Sequence, residues 1–376
     1  MESLEMLFGK AFKSKGGIYK SDNYFLRGSL LEDCRNTIQA IRLADSRTPD
    51  VYINLINNPQ INAVVTKYKG KDLIGINVGA IFLIEATFLR MMSNPSILPK
   101  FGDISKEIAS EKIHNAQFIS FEHYRDVVEI GRKNIPIPKD ITRYRLGMLL
   151  SCFVTRFLVA HEYGHILCGH IGYLDSLFES FSMTEYFNSS PAGSKLKPLT
   201  SQALEMCADL YAFNVGINNI LLALKENEAR IKNGTEIFFN GLENSLKLWL
   251  FAIYSYLRLF GMCSFEIDLL KNYSHPPQAV RSLFYFKWLE LQLITKKSTL
   301  PSQTVQNIID EVVDSVENAF AEISEQEYNL SFLNSAFKLE IFEHELLIME
   351  NWHNARSLTI PFAYIDLPPA IERRNL

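Results

Sequence analysis

Apolar residues fall along this chain at two spacings, and each predicts a different element. From Ile61-Asn-Ala-Val-Val-Thr-Lys-Tyr68, through a turn at Lys69-Gly-Lys-Asp72, to Leu73-Ile-Gly-Ile-Asn-Val-Gly-Ala80, β-branched residues flank a polar break. That pattern predicts a hairpin over 61–80, with Ile74, Ile76 and Val78 alternating onto one face. Elsewhere the apolar period is that of a helix. Residues 30–43 read as a first amphipathic helix, and 82–92 as a second that stops before Asn94-Pro95, where proline disfavours further helix. A long helix is predicted over 146–168, halted near Gly169, and another over 201–228. Residues 305–323 and 332–352 read as helices with acidic solvent faces. The lysines and glycines of 1–30 predict an irregular entry, and 175–199, rich in Ser, Gly, Asn and Pro, a mobile surface connection. The fold predicted is mainly α with a small antiparallel β-sheet (α+β), the sheet packed against the 146–168 helix. One compact domain spans 1–295, and a helical C-terminal extension follows over 296–376.

Composition narrows the classes. A chain of 376 residues that is 47% apolar can bury a sizeable core, so disorder is not expected. The net charge of −4, with no basic block, gives no support for a nucleic-acid partner. The five cysteines are Cys34, Cys152, Cys168, Cys207 and Cys263. Their odd number, with no secretory signal at the N-terminus, predicts a reducing, cytoplasmic setting without a disulfide framework. Two apolar runs, 73–89 and 246–262, are near or below spanning length and carry Glu85, and Lys247 with Arg258, so buried helices are predicted rather than membrane spans.

The candidate chemistry is concentrated at Phe157-Leu-Val-Ala-His-Glu-Tyr-Gly-His-Ile-Leu-Cys-Gly-His170. His161 and His165 are four residues apart, about 400° on a helix, so both imidazoles share one face and can reach one metal ion. Glu162, about 100° round the helix, is placed to take a proton from a water at that metal. The plainer alternative is a core helix with two satisfied histidines. Glu205 and Asp209, at i and i+4 among apolar neighbours, supply a third ligand and an acceptor for the His161 ring; read alone they are an acidic solvent stripe. Cys168 returns to the His161 face, either as a small buried residue or as a thiolate closing a structural zinc site. His170 falls on the opposite face, as a bystander, and His344 reads as surface. Ser274-His-Pro-Pro277 starts a helix, leaving His275 at its edge to donate to an oxyanion and Arg281 to hold a carboxylate of the site or the substrate backbone.

The ordered set His161-Glu-x-x-His165, Glu205-x-x-Ala-Asp209 and Ser274-His-Pro-Pro with Arg281 resembles that of gluzincin metallopeptidases of the CAAX-prenyl-protease type. The segment around Asn62-Ala63 is similar to the substrate-edge strand of that group. The resemblance runs from 62 to 281 and implies a zincin-like core, with Zn2+ on His161, His165 and Glu205. Those relatives carry clear hydrophobic spans, which this chain lacks. It therefore also looks like the soluble phage-exclusion peptidases similar to Lit, which implies a cytoplasmic protease acting on a host protein. A substrate peptide is then expected along the exposed edge of the hairpin. The rival reading is a non-catalytic, zinc-stabilised interaction protein.

Overall fold

The computed structural model describes residues 2–20, 24–113, 136–178, 182–184, 196–229, 238–260, 265–295 and 300–368. The N-terminal stretch is more regular than its lysines and glycines suggest. Ser3 accepts a hydrogen bond from the Met6 N–H and starts helix α1 (Leu4–Ala11), and α2 (Tyr24–Ala44) begins well before residue 30. Phe8 and Phe12 then reach back onto the sheet, packing on Ile56, Val64 and Leu73.

The predicted hairpin forms as β2 (Ala63–Tyr68) and β3 (Lys71–Asn77), antiparallel, with Tyr68 opposite Lys71. Lys69 and Gly70 make its two-residue turn at φ 49° and 71°, the left-handed pair whose twist suits a tight hairpin. The sheet is nevertheless mixed. An earlier strand, β1 (Tyr52–Ile56), pairs in parallel with β3, so the order is β1-β3-β2-β4, where β4 is Ser182–Thr184. The fold is mainly α with a small sheet, as predicted, and the antiparallel pairing expected holds except at β1, whose chain crosses to β2 in the six residues 57–62. Gly79 makes that crossing possible: its N–H donates to the Asn58 carbonyl, and a Cβ there would lie 1.9 Å from the Pro59 oxygen.

Both faces of the sheet are covered. Ile53, Leu55, Ala63, Val65, Ile74 and Ile76 enter the main core, while Val64 and Leu73 turn to α1. Val78 joins the same core, but as the first residue of α3 (Val78–Ser93). The apolar run 73–89 is thus the end of a strand and most of a buried helix.

Helix α4 (Ile141–Leu167) runs through the middle of the molecule, packed on α3 and on β2. The Asp140 carboxylate caps it by accepting from the Thr142 and Arg143 N–H groups, and Gly169, at φ 79°, ends it. Arg143 is fully buried, and its guanidinium donates to the carbonyls of Met92, Asn94, Ile97, Leu98 and Phe101, fixing the chain that leaves α3. After α5 (His170–Leu177), α6 (Pro198–Ala229) crosses α4, and α7 (Leu242–Phe260) packs on both. The stretch 175–199 therefore holds the end of α5, strand β4 and the start of α6, while 179–181 and 185–195 lie outside the described residues.

Helices α8 (Gln278–Thr295), α9 (Ser302–Ile323) and α10 (Leu339–Thr359) complete the described chain. The predicted helix over 332–352 is split: a short turn of helix over 331–334 ends, and α10 restarts at Leu339 after Lys338 turns extended. Val305, Phe320 and Trp352 belong to the same buried cluster as Val154 and Phe213. One described helix, Pro198–Lys225, is long and apolar enough to cross a membrane, and 44% of its apolar 18-residue stretch is buried in the protein. It carries Glu205 and Asp209 at its buried face.

Candidate metal centre

Three elements meet at the site. Helix α4 supplies His161, Glu162 and His165; α6 supplies Glu205 and Asp209; the turn before α8 and its first turns supply His275 and Arg281. All seven side chains are buried, none more than 5% exposed. The crossing is close because Gly164 stands where α4 meets α6; a Cβ there would lie 3.1 Å from the Tyr211 ring and 3.4 Å from Ala208.

The ligand atoms converge. His161 Nε2 and His165 Nε2 are 3.1 Å apart, and Glu205 Oε2 is 3.3 Å from the first and 3.5 Å from the second. Around tetrahedral zinc, with bonds of about 2.0–2.1 Å, neighbouring ligand atoms stand about 3.3 Å apart. Protonation makes the same point. His161 Nδ1 lies 2.9 Å from Asp209 Oδ1, a carboxylate that can only accept, so the ring proton sits on Nδ1 and Nε2 turns a lone pair inward. His165 Nδ1 is likewise engaged, 2.9 Å from His170 Nδ1. Two imidazole lone pairs and a carboxylate oxygen, brought together in the buried interior, repel one another unless a cation lies between them. The group His161, His165 and Glu205 can hold a metal ion.

The surrounding charges fix these ligands. Arg281 donates from Nε to Asp209 Oδ2 at 2.8 Å and from Nη2 to Oδ1 at 2.5 Å, while its Nη1 donates to Gln278 Oε1. Burial alone would raise the Asp209 carboxyl, but Arg281 and His161 hold it below its ordinary value. Burial also opposes ionisation of Glu205, and His275 and His165 outweigh it, holding that carboxyl well below the usual range. His275 Nε2 is 3.2 Å from Glu205 Oε1, and its Nδ1 is 2.9 Å from the Ser274 hydroxyl. His275 is thus set against the ligand carboxylate. Of the two tasks read for Arg281, it performs the first, holding a carboxylate of the site.

Four placements differ from the sequence reading. His170 is no bystander: Gly169 breaks the helix, α5 starts in a new direction, and the His170 ring returns to His165. Cys168 groups with His170 and Cys207 rather than with His161. His344 is buried rather than surface, its Nε2 2.7 Å from Gln202 Oε1. Gln202, in turn, donates to the Leu270 and Tyr273 carbonyls and so holds the turn that bears His275. Finally, the outer edge of β2 is not open along its length: Val64, Val65 and Thr66 pair with Thr184, Met183 and Ser182 of β4.

Lys15 escaped the sequence reading altogether. It is half-buried just after α1; burial lowers its pKa, and the Glu162 charge acts on it in the opposite sense. No spacing links residues 15 and 162, so only the folded chain brings them within electrostatic reach. Among the cysteines, Cys34, Cys152, Cys168 and Cys207 are free thiols, and Cys263 lies outside the described residues. Comparison of the chain with protein-family models, with curated proteins and with solved structures finds no match in any of the three.

Proposed function

We propose that this protein is a zinc-dependent endopeptidase of gluzincin type, cutting a peptide bond in a cytoplasmic protein. The observation that carries the reading is the triangle of 3.1, 3.3 and 3.5 Å formed by His161 Nε2, His165 Nε2 and Glu205 Oε2, with Glu162 next to the first ligand on the same helix. These three residues would hold the ion, and zinc there would supply Lewis acidity toward water and a substrate carbonyl. Glu162 is the general base, taking a proton from the attacking water and delivering it to the leaving amine. Asp209 keeps the His161 proton on Nδ1, and Arg281 keeps Asp209 ionised. His275 steadies the Glu205 carboxylate from its second oxygen.

The rival reading, a zinc-stabilised interaction protein, requires a fourth protein ligand, and Cys168 was the candidate. Its grouping with His170 and Cys207 instead favours hydrolysis. A substrate strand pairing with β2 takes the place that β4 holds, or the flanking positions Lys67 and Tyr68. The experiment is metal analysis of purified protein beside Glu162→Gln, followed by a proteome-wide search for new termini in cells expressing each. Equal metal content with cleavage by the wild type alone is expected; equal termini with both forms overturns the assignment of Glu162. The resemblance to the phage-exclusion peptidases predicts that the target is a host protein, which the same search identifies in infected cells.

A further inference from the structure

A second group of metal-binding side chains stands beside the first. Cys168, His170 and Cys207 are all buried, and one ligand atom from each lies within 4.8 Å of the others. Cys168 caps the C-terminus of α4, three residues after His165, and Cys207 sits on α6, two residues after Glu205. The two sulfurs lie within 4.8 Å of each other, although one sits at the end of α4 and the other on α6. His170 supplies an independent pointer. Its ring is completely buried, its Nδ1 is engaged with His165, and its Nε2 has no hydrogen-bond partner. An unpartnered ring nitrogen in the interior is costly unless something fills the space before it.

We infer that Cys168, His170 and Cys207 form a second metal site, sulfur-rich and closed to solvent, that takes a thiophilic d10 ion such as zinc. Around zinc, with Zn–S of about 2.3 Å, ligand sulfurs stand about 3.8 Å apart, so the present group closes on an ion with movements of about 1 Å or less. The protons balance. Entry of the ion releases one proton from each thiol and one from His170 Nε2, while the proton between the two Nδ1 atoms stays shared with His165. The charges balance as well. Two thiolates cancel the second ion, and the negative charge left on the His165–His170 pair offsets the single positive charge of an ion held by Glu205. Neutralising the ion with two thiolates lowers the desolvation cost of placing it in the interior. The site ties the end of α4 to α6, so it clamps the two helices that carry the first three ligands.

The inference stands apart from the peptidase reading, and one set of measurements separates them. The full-length protein is loaded with zinc and counted by elemental analysis, then loaded with cobalt(II) and recorded in the near ultraviolet, where thiolate-to-cobalt charge transfer appears. Two ions per chain and a thiolate band are expected in the wild type. Cys168→Ser/Cys207→Ser should hold one ion and lose the band. His161→Ala, which leaves the His165–His170 contact in place, should hold one ion and keep it, and that arm survives even if the serine variant folds poorly. A wild type with one ion and no thiolate band overturns the second site. A band that disappears in the histidine variant overturns it too, since Cys168 would then belong to the first site. One ion with the band retained in both wild type and histidine variant upholds the second site and removes the first.

Discussion

Replacing Arg281 by methionine tests whether the chain of charges behind His161 works as its geometry implies. Methionine keeps much of the buried stem and deletes the fork that donates to both oxygens of Asp209. Both partners are about 2% exposed, so water cannot take over the lost donors. Breaking a buried pair from one side costs about 3–5 kcal/mol. Against a total stability of about 5–15 kcal/mol, that is a large loss that need not unfold the protein. The pH dependence has a definite sign. With Arg281 gone, burial, the largest influence on Asp209, is opposed by His161 alone, and the carboxyl rises. The stability deficit is therefore largest at neutral pH and shrinks as acid protonates Asp209 and removes the unpaired charge. Asp209→Asn in the same chain removes that charge at every pH while leaving an oxygen to accept from His161. The double variant should consequently regain about 1–3 kcal/mol over Arg281→Met alone. Urea unfolding of the metal-free proteins at pH 5 and 7 measures these terms without metal linkage, and zinc titration then reports the ligand, with Arg281→Met binding about 10–100-fold more weakly. A cost below about 1 kcal/mol, or a double variant that merely sums the singles, would refute the buried-pair argument.

Other expectations follow from the same geometry. Glu162→Gln should retain zinc and lose hydrolysis, whereas His161→Ala should lose the ion of that site together with activity; unchanged cobalt d–d spectra in His161→Ala would exclude it as a ligand. Gly164→Val places branched methyl groups where even a single Cβ would lie 3.1 Å from Tyr211 and 3.4 Å from Ala208, so the crossing of α4 and α6 must open. It should cost about 1–3 kcal/mol and weaken zinc binding, checked by thermal melts with and without metal. His344 has its pKa lowered by burial to about 4, below the unfolded value of about 6.5. Its contribution to stability is full above pH 6.5 and is lost as pH falls toward 4. His344→Gln, which keeps a donor for Gln202, should flatten the stability profile in that window by up to about 1.4 kcal/mol per pH unit, measured by urea midpoints at pH 5 and 7.

How much of this site the sequence discloses depends on whether its residues share an element. His161, Glu162 and His165 are legible because helical spacing alone puts them together, and Glu205 with Asp209 because an acidic pair among apolar neighbours implies a polar partner inside. The hairpin is legible for the same local reason: β-branched runs on either side of Lys69-Gly70 leave few alternatives. What fails is everything set by a change of direction. Face arithmetic assigned His170 to the face opposite His161, yet the arithmetic ends at Gly169, whose left-handed backbone starts a new helix and brings the ring to within 2.9 Å of His165. Strand β1 carries apolar residues as β2 does, but its parallel pairing depends on a six-residue crossing that only Gly79 permits, and a sequence pattern does not report that approach. His344 looked exposed because Glu343 and Glu345 flank it, although a helix turns neighbours by about 100° and the middle residue is free to point inward, where Gln202 meets it across 142 positions. The inner ring of the site is thus written in short spacings. The partners that set its protonation come from breaks and long-range packing, and they determine whether three side chains that can hold a metal hold it in a reactive state.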